Sequence, residues 1–420
     1  MLAMFKEFLD DPEQNDMYVK GAAGTGKTWG LAEVVKHCVE HELEYTVCAY
    51  THKACGVIRY ALPLNANIST LHSFLKKRPT INDEATKAQH VEVSRQHGKA
   101  KKTNILIIDE YSIVGERDVM SIREIEPPPK ILWLGDEHQL PPVDDMQSVS
   151  PYGPYQLTLT KRWRTGDDSP LQVPLDQLIS FIEGAPPEPL VDNSCFIRGR
   201  DLLLAYKRDP SIVLAFTNRA VQDWNSRIEG KTQPEPGDLL FCPTTRLQYT
   251  MREVGHHPTE IKQAFGTSTL QLGSKYRTLE HLIDSGYSFM DVEDSYGEHT
   301  VCYIFGHQAY NDKKTELKQA AAAANKAIEG NAREWSQQNP NAAKTRTRAK
   351  AWRDFLSFNE NVVCLDFPHA MTVHKSQGST YKTVYVDTQD IGIAAKMNYS
   401  LYLKLMYVAF SRASNKVVTN

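Results

Sequence analysis

The chain has 420 residues, of which 41% are hydrophobic, 9% aromatic and 24% charged, a globular composition long enough for two to four domains. Lys and Arg number 48 against 51 Asp and Glu, a formal net charge of -3 that excludes a globally basic binder of nucleic acid or of membrane surfaces. Any basic surface must be local. No apolar run approaches the roughly 18 residues of a membrane span, and the start MLAMFKEFLDDPEQ carries acids where a signal peptide would not. A cytoplasmic protein is expected. The seven cysteines lie apart with no C-x-x-C spacing, which argues against a zinc or disulfide framework and for small buried side chains.

Over the first 160 or so residues short apolar runs alternate with helical stretches, the pattern of a parallel sheet covered by helices. MYVKG, YTVCAY, ILIIDE and ILWLGD are the strand candidates. ILIID and ILWLG are continuous rather than alternating, as suits strands buried on both faces. Further along, SIVLAFTN, NVVCLDF and TVYVD predict a second α/β domain, interrupted from about Pro236 to Glu360. That interruption opens with PGDLLFCPTTR and TSTLQLGSKYRTL, short strand-like pieces punctuated by Gly and Pro. Its later part, Asp312 to Phe355, is rich in Ala, Lys, Gln and Glu and predicts long solvated helices. Between Tyr310 and Phe358 ten Lys or Arg face five acids, and between Leu75 and Thr103 eight face three. Each is a local excess of five positive charges, which is where the missing basic surface went.

Gly21-Ala22-Ala23-Gly24-Thr25-Gly26-Lys27-Thr28 fits G-x-x-x-x-G-K-[ST] between a strand candidate and the helical WGLAEVVKHCVEH. Small residues let successive backbone N–H groups converge on phosphate oxygens, and the helix N-terminus adds its positive dipole end. Lys27 is expected at the β and γ phosphates of ATP and the Thr28 hydroxyl on Mg²⁺. Asp109 and Glu110 close the apolar strand ILII, at the sheet edge where parallel strands deliver side chains to a ligand. Asp109 fits as the second metal-side group and Glu110 as the base for an attacking water. After the next strand comes GDEHQLPPV, whose Gln139 is a neutral donor suited to sensing the γ phosphate, or else to capping a turn. Together these predict an NTPase.

THKA, TLHSF, IIDEYS, GDEHQLPPV, LTLTKR, AFTNRAV, TVHKSQGST and YVAFSRA follow one another in the chain. In that order they resemble the helicase motifs of superfamily 1, nearest to branch 1B with the phage Dda, RecD and Pif-type helicases. The resemblance spans Gly21 to Ala413. It implies two RecA-like P-loop parallel-sheet domains, with a small hairpin-like insertion in the first and a β-plus-helical insertion in the second. The boundaries expected are 1–74 with 104–160 for the first motor domain, and 75–103 for its wedge. For the second they are 161–235 with 361–420, and 236–360 for its insertion, SH3-like with a helical extension. The activity implied is ATP-dependent DNA unwinding with 5′ to 3′ movement on single strands, in a bacterial or phage-infected cell, in replication, recombination or repair. The implied partners are single-stranded DNA and single-to-double-strand junctions, with a single-strand-binding protein or replisome component, the enzyme itself being a monomer.

Residue by residue, the resemblance implies that Arg162 and Arg412 approach the γ phosphate from the second domain, Lys161 and Arg164 leaving the register of the first open. Thr51, His52, Thr70, His72, Thr217, Asn218, His374 and Lys375 would touch the sugar-phosphate backbone. Gln377 and Gly378 would bridge that groove and the nucleotide. Two departures stand out. No Phe, Tyr or Trp lies between Leu75 and Thr103, so the wedge must use His90, His97, Val91 or Val93, or the protein grips and moves a strand without separating it. Only 20 residues precede Gly21, and no glutamine upstream of the loop is placed to read adenine, so the base contact stays unassigned. An RNA substrate also stays open, since backbone grips tolerate both sugars.

Overall fold

In the computed structural model, residues 1–50, 52–63, 65–76, 78–80, 92–94, 102–142, 149, 151–163, 169–242, 248–254, 287–294, 297–329, 350–352, 354–355, 357–359 and 362–420 are described. The chain divides into two units, one of residues 1–80, 91–217 and 372–420, the other of residues 81–90 and 218–371.

In the first unit the N-terminal strands are β1 (Asp16–Gly21), β2 (Tyr45–Ala49), β3 (Ile68–Thr70), β4 (Arg78–Thr80), β5 (Glu92–Ser94), β6 (Ile105–Asp109), β7 (Lys130–Gly135) and β8 (Gln156–Leu159). Six of these form a parallel sheet in the order β3-β2-β6-β7-β1-β8. Its inner strands β2, β6, β7 and β1 are buried on both sides, as the continuous apolar runs predict, while the edge strand β8 leaves Gln156 and Thr158 exposed. Ile105, Ile107, Leu132 and Leu134 enter one core with Phe5, Phe8 and Val34, while Leu106, Ile108, Ile131 and Trp133 enter the other with Phe74 and Tyr111. Period-two alternation thus feeds two hydrophobic layers, and truncating a core residue such as Ile107 to Ala costs about 2–5 kcal/mol. Helix α1 (Leu2–Asp10) precedes β1, helices α2 (Lys27–Glu40), α3 (His52–Ala61) and α4 (Leu71–Phe74) connect the early strands, and α5 (Glu116–Arg123) joins β6 to β7.

β4 and β5 pair antiparallel, Arg78 opposite Ser94 and Thr80 opposite Glu92. A hairpin therefore stands where the insertion was expected. Of the wedge candidates, Val93 lies in β5, and His90, Val91 and His97 fall outside the described residues.

A second parallel sheet of the same unit runs β10-β17-β18-β9, from β9 (Phe196–Ile197), β10 (Ile212–Ala215), β17 (Tyr381–Val386) and β18 (Ala413–Thr419). Its helices are α6 (Gln172–Ile182), α7 (Leu202–Arg208), α10 (Val373–Ser376), α11 (Thr388–Met397) and α12 (Tyr399–Ser411). α12 is buried from Leu405 through Ser411, and Asn398 caps its start by accepting the Leu401 N–H at 3.1 Å.

The second unit begins with α8 (Asn218–Glu229) and holds a sheet in the order β11-β12-β13-β14-β15. β11 (Leu239–Phe241), β12 (Gln248–Val254), β13 (Ser288–Asp294) and β14 (Gly297–Phe305) form an antiparallel meander, and α9 (His307–Glu329) follows. This is the predicted β-plus-helical insertion. NVVCLDF departs from expectation: its strand β15 (Val362–Leu365) pairs parallel with β14, not within the second parallel sheet. A continuous apolar run says that both faces are covered, not by which sheet. Here Val362 and Cys364 pack with Phe358, Tyr310 and Phe289, and Leu365 with Met251 and Met290. The chain returns to the first unit through β16 (Ala370–Thr372).

Candidate functional site

β1 sits inside the first sheet, so its C-terminal edge opens onto the turn that precedes α2. Gly24 and Gly26 have φ of 84° and 86°, which only glycine adopts without strain. Gly21 meets Thr25 Oγ1 and the Leu159 carbonyl so closely that no side chain fits there. Gly26 caps α2 without a side-chain acceptor, leaving the first-turn N–H groups for an anion. Lys27 Nζ folds back to donate to the carbonyls of Gly21 at 2.6 Å and Ala22 at 3.1 Å.

A cavity of about 330 Å³ lies against this loop, lined by Ala23, Gly24, Gly26, Lys27, Thr28, Asp109, Glu110, Gln139, Trp163, Gly378 and Arg412. Ten of these eleven residues are ones the sequence singled out. Asp109 Oδ1 accepts the Glu110 N–H at 3.0 Å, and Glu110 holds a left-handed backbone (φ 59°, ψ 51°) uncommon outside glycine. Glu110 Oε2 is buried with no hydrogen-bond partner. Burial and the adjacent Glu110 charge hold the Asp109 carboxyl well above the usual carboxylate range, against the pull of Lys27. Such a paired, desolvated carboxylate with an orphaned oxygen beside a threonine suits a divalent cation that completes its shell with phosphate and water. Thr28 and Asp109, both on the lining, are the side chains that would hold it.

Gln139 is buried, and its Nε2 reaches Asp136 Oδ2 at 3.5 Å while its Oε1 has no partner. Arg412 is only 2% exposed. Its Nη2 donates to Ser411 Oγ at 2.8 Å, its Nε to the Val408 carbonyl at 3.1 Å and its Nη1 to the Ser379 carbonyl at 3.5 Å. Neutral oxygens thus hold a buried guanidinium at the cavity wall, opposite in sign to any phosphate entering it.

Arg162 stands elsewhere. Its Nη2 pairs with Asp176 Oδ1 at 2.5 Å, and with Ala22 it lines a smaller neighbouring cavity beside Tyr407 and Ser411. The next residue, Trp163, takes the cavity wall instead, its backbone N–H donating to the Gly24 carbonyl at 2.8 Å. Sequence reasoning passed over Trp163, although a tryptophan between Arg162 and Arg164 was the one visible signal. It also passed over Asp136, His138 and Tyr407, which bond to one another beside the loop.

The residues expected on nucleic acid show a repeated local arrangement. β3 and β16 each end in a threonine that caps a one-turn helix: Thr70 Oγ1 accepts the Ser73 N–H at 3.2 Å and Thr372 Oγ1 the Lys375 N–H at 3.4 Å. Two residues after each threonine comes a histidine beside an aromatic ring. His72 lies 4.9 Å from Tyr50 and His374 6.1 Å from Phe216, centroid to centroid. His72 Nε2 also approaches Asp118 at 3.4 Å. Burial lowers His374 below its ordinary value, leaving a neutral ring at neutral pH. Thr217 is engaged within the protein, its N–H and Oγ1 donating to Asp390 at 2.7 and 2.8 Å. Asn218 opens α8 in the second unit, the His52 side chain and Thr51 fall outside the described residues, and Gln377 donates its N–H to the His374 carbonyl at 3.4 Å.

Residues 10–145 match the family model of an AAA domain, and residues 367–419 that of a UvrD-like helicase C-terminal domain. An uncharacterized protein of Acanthamoeba polyphaga mimivirus is 30% identical over 161 residues, 34% of this chain and 32% of that protein. The ATP-dependent RecD2 DNA helicase of Deinococcus radiodurans is 31% identical over 125 residues, 30% of this chain and 16% of that protein. The chain thus spans at most about a third of the length of these two relatives. Among solved structures, the Pif1 helicase from Candida albicans is similar over 99% of this chain and 93% of its own, at 17% identity and a TM-score of 0.49. The AAA and UvrD-like helicase segments stand in the order of the motifs that run from Gly21 to Ala413, so the chain is similar at both ends of that stretch to helicase families.

Proposed function

We propose that the protein is an ATP-dependent DNA helicase that moves 5′ to 3′ on single-stranded DNA and separates duplex. The observation that carries the reading is a single cavity that joins Lys27 and Thr28, the Asp109–Glu110 pair, Gln139 and, from the C-terminal segment, the buried Arg412. In that arrangement Lys27 leaves the loop carbonyls to neutralise the β and γ phosphates, and Glu110 accepts the proton of the attacking water. Arg412 offsets charge on the transferring phosphoryl group. Thr28 and Asp109 would hold Mg²⁺, which would supply charge neutralisation at the phosphates. Arg162 joins Arg412 once it leaves Asp176, and Gln139 reports the loss of the γ phosphate through Asp136.

Hydrolysis then serves movement. Residues 1–74 with 104–160 form one motor domain and 161–235 with 361–420 the other, with 75–103 the wedge and 236–360 the second insertion. Thr51, His52, Thr70, His72, Thr217, Asn218, His374 and Lys375 offer hydroxyl, amide, imidazole and short cationic contacts that position a strand without reading bases. Near-neutral overall charge suits a grip that must let go at each step, since every phosphate contact adds affinity to be undone. Single-strand-binding proteins or replisome components are the partners to seek, with the helicase as a monomer.

Strand displacement on 5′-tailed and 3′-tailed duplexes tests the reading. Unwinding of the 5′-tailed substrate alone is expected, and unwinding of only the 3′-tailed one overturns the polarity. The aromatic-free hairpin segment favours one second reading, an ATP-gated translocase or remodelling factor. It predicts DNA-stimulated hydrolysis with no displacement of either substrate, and stimulation by RNA alone would move the substrate class.

A further inference from the structure

Beside the phosphate cavity lies a second, larger one of about 580 Å³, lined by Met1, Thr25, Gly26, Trp29, Gly30, Leu159 and Trp163. The two cavities share Gly26 and Trp163. Its size and apolar lining are those of a small-molecule site. Two tryptophans line it while remaining 73% and 67% exposed, which is costly unless a ligand covers them. Trp163 is not loose: its backbone is tied to the Gly24 carbonyl at 2.8 Å, and Lys161 Nζ sits 4.0 Å from its ring centroid, covering one face and leaving the other. The one polar side chain on the lining, Thr25, is buried and its hydroxyl donates to the Ala22 carbonyl at 2.9 Å.

A nucleotide whose phosphates enter the first cavity must send its sugar and base past Gly26, and the shared wall points them into the second. Resting on the nucleotide reading of the first cavity, we infer that the base is held there by stacking on Trp163 and Trp29. Among the described residues no side chain reads its edge, so ATP and GTP serve alike. Selectivity among bases requires polar groups that go unpaired with the wrong one, and an apolar lining provides none. Aromatic stacking is tolerant because every base has a π face.

The test is binding of ATP, GTP and inorganic tripolyphosphate, each with Mg²⁺, followed by tryptophan fluorescence and calorimetry on the full chain. ATP and GTP are expected to bind within about tenfold of each other and to quench the fluorescence, which tripolyphosphate leaves unchanged. Trp29→Ala is expected to weaken both nucleotides about tenfold without changing tripolyphosphate affinity, Trp163→Ala to weaken both nucleotides at least as much, and Trp163→Phe to restore most of that loss. Both side chains are exposed, so the variants fold. A preference for ATP over GTP beyond tenfold, or wild-type affinity for both nucleotides in either alanine variant, overturns the inference. If Lys27→Ala binds tripolyphosphate as the wild type does, it is the nucleotide reading of the first cavity that fails, and the base site with it.

Discussion

The Tyr407 hydroxyl donates to Asp136 Oδ2 at 2.7 Å, joining residues 271 positions apart. The same carboxylate accepts the His138 N–H at 3.1 Å and lies 3.2 Å from its Nδ1, and the Tyr407 oxygen in turn accepts the Ala23 N–H at 3.4 Å. The phosphate loop, the turn after β7 and helix α12 therefore share one buried anion. Burial works against the charge of Asp136, but hydrogen bonds from His138 and Tyr407 and the field of Lys27 prevail and keep it below its ordinary value. Tyr407 is pushed well above its own by burial and by that neighbouring charge.

Removing the Tyr407 donor leaves Asp136 buried with one bond fewer. Tyr407→Phe is expected to cost about 1–3 kcal/mol, seen as a lower urea midpoint, and to slow ATP hydrolysis by loosening α12 from the loop. An unchanged midpoint would show that the bond contributes nothing to folding.

Glu110 is the one carboxylate in the cavity whose Oε2 stays buried without a partner. Glu110→Gln keeps the size of the side chain and removes the base, so hydrolysis should fall about 10²–10⁴-fold while nucleotide affinity holds. Lys27→Ala should lose affinity as well as rate. Full-rate hydrolysis by Glu110→Gln would sink the assignment of the base.

The two arginines are separable. Arg412 already lines the cavity, so Arg412→Ala should lower the rate constant of hydrolysis about 10³-fold or more. Arg162 must first leave Asp176, so Asp176→Asn is expected to maintain or raise the rate where Arg162→Ala lowers it. Equal losses in Arg162→Ala and Asp176→Asn would instead mean that the ion pair itself is what matters.

pH should act through His138. Burial pulls its value down, but the bonds to Asp136 and to Glu183, the latter at 3.0 Å, raise it above its ordinary 6.5. A raised value means the folded state favours the charged ring, so its stabilisation is fully present below pH 6.5 and fades as pH rises through the raised value. The gap in melting temperature between wild type and His138→Gln should therefore narrow from pH 6 towards alkaline pH. A gap that widens over that range would contradict the bonding pattern.

Much of the candidate site was legible in the sequence because its parts are local. The loop Gly21 to Thr28 is contiguous, and Asp109 and Glu110 follow a strand whose apolar run marks it as buried on both faces. The Arg162 placement was less accessible, since three cationic candidates stand within four positions and only the chain path decides which reaches the cavity. Trp163 reached it, and Arg162 turned to Asp176 on α6.

By itself the sequence determined the P-loop turn, the four inner strands of the first sheet and the order of the motifs. These depend on residue type at fixed spacing and on which faces are apolar. Tertiary structure alone decided that Val362–Leu365 joins β14, that Arg412 and Trp163 meet across one cavity, and that Tyr407 bonds Asp136. Periodicity reports that a face is covered or a group buried. The partner that covers it lies tens to hundreds of residues away, and only the folded path brings the two within bonding distance.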